Sequence, residues 1–135
     1  MNRRFWLIVV MFAVVSAIAA RYVYRKRRAA ANSAAVQAAF LKYSQNLKPG
    51  MTRKEVKDYL RDQGLAFLER CCHKPGAPFS VLIRVGEEDS PWYCSEWYDY
   101  VAFEFATAEP LDWAKRSDSD LLEKVHQTSN GEGCL

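Results

Sequence analysis

The sequence predicts an α+β fold carried on an amino-terminal transmembrane helix, with two further helices packed on a three- to four-stranded antiparallel meander. Three observations predict it. An unbroken apolar run flanked by basic residues opens the chain. Two helical stripes follow, over residues 36–47 and 53–63. Beyond Gly64 the hydrophobic period falls from about 3.6 residues to about two, the change from helix to strand. Helices first and strands after, in a short chain, pack as two layers around one core.

The apolar run extends from Phe5 to Ala20, 16 residues interrupted only by Ser16. As a helix it is about 24 Å long, short of a hydrocarbon core of roughly 30 Å. Continued to Tyr24 it reaches about 30 Å. Arg21 then snorkels to the interface, and Trp6, Tyr22 and Tyr24 fall at the head-group belts. Residues 1–28 thus read as a membrane anchor with basic flanks, in contact with lipid through residues 5–24. Two other readings compete. Ala17-Ile18-Ala19 fits the cleavage site of a signal peptide, but the basic cluster immediately after it suits translocation poorly. A buried core helix does not accommodate basic clusters at both ends.

Charge divides the chain in the same place. Residues 1–28 carry seven Arg or Lys and no acid, whereas residues 29–135 carry 12 basic and 16 acidic side chains. A folded part that is mildly acidic argues against nucleic acid as a partner, because that function needs a basic face on the domain. Half the residues are hydrophobic, which excludes a wholly disordered chain.

Residues 29–35, rich in Ala, form a connector, and residues 36–135 the small α+β domain. Val36, Phe40, Tyr43 and Leu47 make one helical stripe, ended by Pro49-Gly50. Thr52 as N-cap and Glu55 three residues on form a capping box, with Met51 and Val56 as its hydrophobic staple. Gly64 is the left-handed residue that ends this second helix, and Leu65 closes back on Leu60 in a Schellman motif. Strands are expected over Leu65–Arg70, Phe79–Val85 and Tyr98–Phe105, separated by an acidic loop, Gly86–Pro91. Residues 106–120 read as a loop. Leu121–Thr128 fits either a short helix or a final edge strand. Leu82, Tyr98, Tyr100 and Trp97 fall on the sheet face away from the helices, a candidate contact surface unless the carboxyl-terminal segment folds over it.

The run Lys48-Pro49-Gly50-Met51-Thr52-Arg53-Lys54-Glu55-Val56, with Tyr59-Leu60 and Gly64, resembles the SmpA/OmlA (BamE-like) family of small bacterial envelope proteins. Its members open a helix with the same Gly-Met-Thr start after a first helix and continue into a three-stranded meander. The likeness covers residues 36–105. It implies a non-catalytic scaffold or adaptor domain of the envelope. The segment Trp92–Trp97, the terminal Gly133-Cys134-Leu135 and the absence of a lipoprotein cysteine depart from the pattern.

The cysteines are Cys71, Cys72, Cys94 and Cys134. An even number in loops and at strand ends fits disulfides in an oxidising compartment. Adjacent cysteines rarely bond each other, because the ring they close is strained; Cys94 with Cys134, and one of Cys71 or Cys72 left over or paired, is the preferred arrangement. A zinc site from Cys71, Cys72, His73, Cys94 and Cys134 lacks the usual C-x₂₋₄-C spacing, and buried small hydrophobes are a further reading. A thiol-dependent enzyme through Cys72, His73 and Cys94 is the alternative function, but neighbours in a strand point to opposite faces. His126 is the one other histidine. Glu87, Glu88, Asp89 and Glu96 show no calcium-loop spacing. The scattered glycines form no phosphate-cradling loop. No catalytic group, metal or cofactor is therefore assigned. The dense aromatic group Trp92, Tyr93, Trp97, Tyr98 and Tyr100 reads as core packing or as a protein contact, since Trp and Tyr dominate interface hot spots. The expected function is a membrane-anchored binding or scaffold domain, with a tethered structural domain lacking any specific partner as a further alternative. Five basic residues after the span, against two before it, place the domain in the cytoplasm by the positive-inside rule. The cysteines and the family resemblance point to the outside, which is the side expected here.

Overall fold

The computed structural model describes residues 3–70, 79–106 and 117–134. It is an α+β arrangement of two helices, α1 (Arg3–Asn46) and α2 (Arg53–Asp62), and four strands, β1 (Leu68–Arg70), β2 (Phe79–Glu88), β3 (Glu96–Ala106) and β4 (Leu121–Glu132). The strands form one antiparallel sheet in the order β1-β2-β3-β4.

The Ala-rich connector, residues 29–35, is helix. Helix α1 runs for 44 residues without interruption, about 66 Å. Residues 29–35 contain no Gly or Pro, so nothing in their backbone chemistry ends a helix. The amino-terminal part of α1 is apolar and exposed from Trp6 to Ile18. Its carboxyl-terminal part buries Val36 and Tyr43, and Leu47 follows buried just after its end. There Tyr43 and Leu47 join Val81, Ile83, Val101, Phe103, Phe105 and Leu122 of the sheet and Val56 and Leu60 of α2 in one core. Tyr43 meets Phe103 edge to face, with centroids 6.1 Å apart.

Helix α2 begins as its sequence requires. Thr52 and Glu55 form the reciprocal capping box, the Thr52 amide donating to the Glu55 carboxylate at 2.7 Å. Two more first-turn amides, which lack partners inside a helix, donate outward. Arg53 N reaches the Asp120 carbonyl at 2.8 Å and Lys54 N the Asp118 carbonyl at 3.0 Å. At the far end Gly64 takes φ +68°. Gly64 N donates to Arg61 O at 2.8 Å and Leu65 N to Leu60 O at 3.0 Å, the two bonds of a Schellman motif.

A buried ion pair locks α2 to the chain before β4. Arg53 Nη2 donates to Asp120 Oδ2 at 3.0 Å, and both residues are only 1% exposed. The guanidinium lies over the rings of Phe79 and Phe105, 5.1 and 4.7 Å from their centroids. Asp120 also accepts from Ser117 N at 3.1 Å. Beside it, Gly50 N donates to Leu122 O at 2.8 Å and Leu122 N to Met51 O at 2.7 Å, which stitches the α1–α2 turn to the start of β4.

Three expectations change. Leu121–Thr128 is strand, the first part of a β4 that reaches Glu132, and a short helix is excluded. Its pattern is blurred by a bulge. Phe105 pairs with Leu122 and Glu104 with Lys124, so Glu123 is the extra residue, and Leu122 and Val125 face the core together despite their odd spacing. The first strand is shorter than expected, because Leu65 is used in the helix cap and Phe67 packs half-buried against the core. The second strand is longer and absorbs Gly86, Glu87 and Glu88 from the expected acidic loop. Residues 107–116 of the expected loop lie outside the described residues.

Removing one partner of a buried ion pair leaves the other charge uncompensated and costs about 3–5 kcal/mol. Arg53→Met and Asp120→Ala should each lower the unfolding free energy by that amount, against about 1 kcal/mol for Thr52→Ala. Urea titration of the detergent-solubilised chain, followed by circular dichroism, checks the ranking.

Candidate functional site

The β2–β3 hairpin runs along α1 toward the apolar run, and the two meet in a polar junction. Its centre is Asn32. The Asn32 amide nitrogen donates to Asp99 Oδ2 at 2.6 Å, and its oxygen accepts from Glu87 N at 3.2 Å. Asp99, buried on β3, also accepts from Ser129 Oγ of β4 at 2.8 Å. Three strands are therefore tied to one side chain of the helix. A second bulge makes room for it. Arg84 pairs with Tyr100 and Gly86 with Asp99, so Val85 is the extra residue and Gly86 turns toward α1. A Cβ on Gly86 would collide with the Asn32 amide, so any larger residue there must displace the side chain that ties the hairpin to α1.

Toward the membrane end of the junction, opposite charges face each other. Arg28 approaches Glu87 at 4.0 Å and Arg25 approaches Asp89 at 3.5 Å. All four side chains are about half exposed, and such pairs contribute at most about 1 kcal/mol each. They orient the hairpin more than they stabilise it. Between them lies a cleft of about 220 Å³ lined by Arg25, Arg28, Asn32 and Glu88 among others. The Glu88 carboxyl is held above its ordinary range, first by partial burial and then by the charge on Asp99.

Cys94 and Cys134 form a disulfide, the pairing preferred from the sequence. It joins the hairpin loop to the segment after β4. Its sulfurs offer neither a thiolate nor a metal ligand in this state. Cys71, Cys72 and His73 lie outside the described residues. His126 stands opposite Ala102 in mid-sheet, and six residues of β3, about 20 Å, separate Ala102 from Glu96 at the Cys94 end. A Cys94–His126 pair is thereby ruled out. His126 instead lies 3.5 Å from Glu104. Among the described residues no group of three or more His, Cys, Asp or Glu is arranged to hold a metal.

The aromatic group divides. Tyr98 and Tyr100 are 6% and 3% exposed and cluster with Leu82 and Ala102, so they are not an open contact surface. The Arg84 guanidinium covers the Tyr98 ring, 3.3 Å from its centroid. The Tyr98 hydroxyl donates to Glu96, and that bond, with burial behind it, raises its pKa. Burial first and Glu132 second raise that of Tyr100. Alternation sends Trp97 to the α1 face instead, half-buried against Gly131, where a Cβ would lie 2.8 Å from its ring. Trp92 and Tyr93, at the hairpin loop, remain exposed.

Sequence reasoning did not single out Asn32 or the Arg25–Asp89 and Arg28–Glu87 pairs. Two signals were present: an Asn-Ser step inside the alanine-rich run, and a basic run matched by a later acidic one.

Opening the Cys94–Cys134 bond, whose residues are 40 apart, should lower stability by about 3–4 kcal/mol in the chain-entropy model. Denaturation of the Cys94→Ser/Cys134→Ser double variant measures this. The raised Glu88 pKa has a definite sign. The folded state binds this proton more tightly, so the contribution is present below the ordinary Glu range and is lost as pH rises through the folded value. Thermal midpoints against pH should show a shallower decline for Glu88→Gln. Compared with family models, with curated proteins and with solved structures, the chain gives no match in any of the three.

Proposed function

We propose that the chain is a membrane-anchored, non-catalytic binding or scaffold domain of the cell envelope, with its sheet on the outer side of the cytoplasmic membrane. The observation that carries this reading is the continuity of α1. By length and composition it is long and apolar enough to cross a membrane, and the same helix buries Val36 and Tyr43 in the domain, with Leu47 just after its end. A domain built on the end of its own anchor is held against the lipid surface, in one orientation. The Cys94–Cys134 bond supports the outer side, since disulfides persist in oxidising compartments. The resemblance of residues 48–64 to the SmpA/OmlA family supports an envelope role. The exposed Trp92 and Tyr93 support a contact at the hairpin loop.

A second reading, a tethered structural domain with no specific partner, is favoured by the burial of Tyr98 and Tyr100. The thiol or metal enzyme through Cys72, His73 and Cys94 is weakened by the loss of Cys94 to the disulfide.

Carbonate extraction should leave the full-length chain in the membrane pellet. A shortened, soluble chain starting near Ala20 would instead indicate a cleaved signal peptide. Alkylation in intact cells should find Cys94 and Cys134 blocked until reduction, and then open to an impermeant reagent. Free thiols shielded from that reagent would put the domain in the cytoplasm.

A further inference from the structure

The hairpin loop displays two aromatic rings at the height where the apolar run ends. Trp92 is 90% exposed and Tyr93 42%, and their rings meet edge to face at 5.7 Å. The loop that presents them is held from several sides. Cys94 N donates to Pro91 O at 3.0 Å and Ser95 N to Glu132 O at 3.1 Å. Ser90 Oγ donates to Ser95 O at 3.2 Å, and Cys94 is bonded to Cys134. Rings on a loop already ordered bind without a further ordering cost.

Helix α1 sets the height. From Leu47 back to Arg25 the helix covers about 33 Å, and the ten residues of β2 cover about the same, roughly 33 Å. The Arg25–Asp89 pair marks the match. Trp92 lies three residues beyond Asp89, a reach of at most about 10 Å. Measured along α1, Trp92 can therefore stand no further from Arg25 than about residue 19. Tyr22 and Tyr24, both exposed, occupy the same stretch.

We propose that Trp92 and Tyr93 form a second membrane contact, seated in the interfacial zone of the same bilayer that α1 crosses. The proposal rests on the anchored reading given above. Trp and Tyr suit that zone because an apolar ring and a polar tip are both satisfied there. Of the acids beside the loop, Asp89 is matched by Arg25 and Glu87 by Arg28, so the approach does not bring those two charges unpaired to the surface. Area favours lipid over protein. Two aromatic rings bury at most about 500 Å², below the roughly 800 Å² per partner of a stable protein interface. Two fixed points, helix and hairpin, then set the tilt of the domain on the membrane.

The test uses the full chain in phosphatidylcholine vesicles, with and without lipid brominated high on the acyl chains. The fluorescence of Trp92 is the difference between the native chain and Trp92→Phe, and that of Trp6 the difference from Trp6→Phe. Retention of the Cys94–Cys134 bond in each variant reports folding. The expected Trp92 component is blue-shifted and loses most of its intensity to bromolipid, as does that of Trp6. A water-like, unquenched Trp92 component beside a quenched Trp6 overturns the hairpin contact, leaves the anchor standing and returns the rings to a protein partner. A chain that fails to float with the vesicles, with neither component quenched, overturns the anchor and the hairpin contact together.

Discussion

A helix with no break between Arg3 and Asn46 is the constraint on which the rest of the structure depends. In a continuous helix the facing of every side chain is fixed relative to every other. Arg25, Arg28, Asn32, Val36, Tyr43 and Leu47 recur at spacings of three, four and seven, so they share one face. That face grades from charge to polar anchor to apolar stripe, and the sheet matches it in sequence: Asp89 and Glu87, then Asp99, then Val101 and Phe103. Asn32 carries the register. Sliding β2 by one residue would reverse its faces and remove the Glu87 amide and the Gly86 opening from Asn32. The hairpin therefore cannot settle at another height along the helix without losing buried polar partners.

The Arg53–Asp120 pair solves a different problem. Helix α2 has ten residues, too few to persist alone in water. It needs its ends satisfied and its apolar face covered. The capping box and the Asp118 and Asp120 carbonyls satisfy the amino-terminal amides, while Val56 and Leu60 are wholly buried. Arg53 then carries charge into an otherwise apolar layer, between Phe79 and Phe105. A buried pair is poor evidence for stability in itself, since apolar residues of similar volume often do as well. What it supplies is position. The planar guanidinium stacks on two rings and meets one carboxylate, an arrangement that a lysine does not reproduce, and it fixes where the chain enters β4.

Local chemistry was legible in the sequence wherever it acts over a few residues. The Thr52–Glu55 box, the Gly64 cap with Leu65, and the alternation through Phe79, Val81 and Ile83 all hold as the sequence predicts. The Cys94–Cys134 pair, preferred from the sequence, also forms. Reading failed where two distant segments jointly decide. The bulge at Glu123 removes the period-two signal from β4, so Leu121, Leu122 and Val125 look helical until Phe105 and Glu104 supply the register. Trp97 was assigned to the wrong face, against the alternation that sends it opposite Tyr98. Arg53 was given no role of its own in the sequence, and its burial depends on Asp120, 67 residues away. Asn32 sat in what reads as a connector, and its role exists only because Gly86 and Asp99 come to it.

The side of the membrane turns on a contest between charge and redox chemistry. Arg21, Arg25, Lys26, Arg27 and Arg28 follow the apolar run, and in the folded chain Arg25 and Arg28 face acids. Those acids do not soften the orientation signal. Insertion reads charge within about 15–20 residues of the span and gives acids little weight, whereas Glu87 and Asp89 lie some 60 residues on. The pairing acts later, by matching charges that would otherwise sit unpaired at the surface. The disulfide acts on the folding equilibrium, and with more consequence. A domain of this size has a net stability of about 5–15 kcal/mol, and closing a loop of this length contributes about 3–4 kcal/mol in the chain-entropy model. In a reducing compartment that share is lost. The loss falls on the loop that presents Trp92 and on the end of β4 beside Trp97 and Gly131. The stability of the folded domain is therefore greater on the oxidising side, which is the side proposed for it.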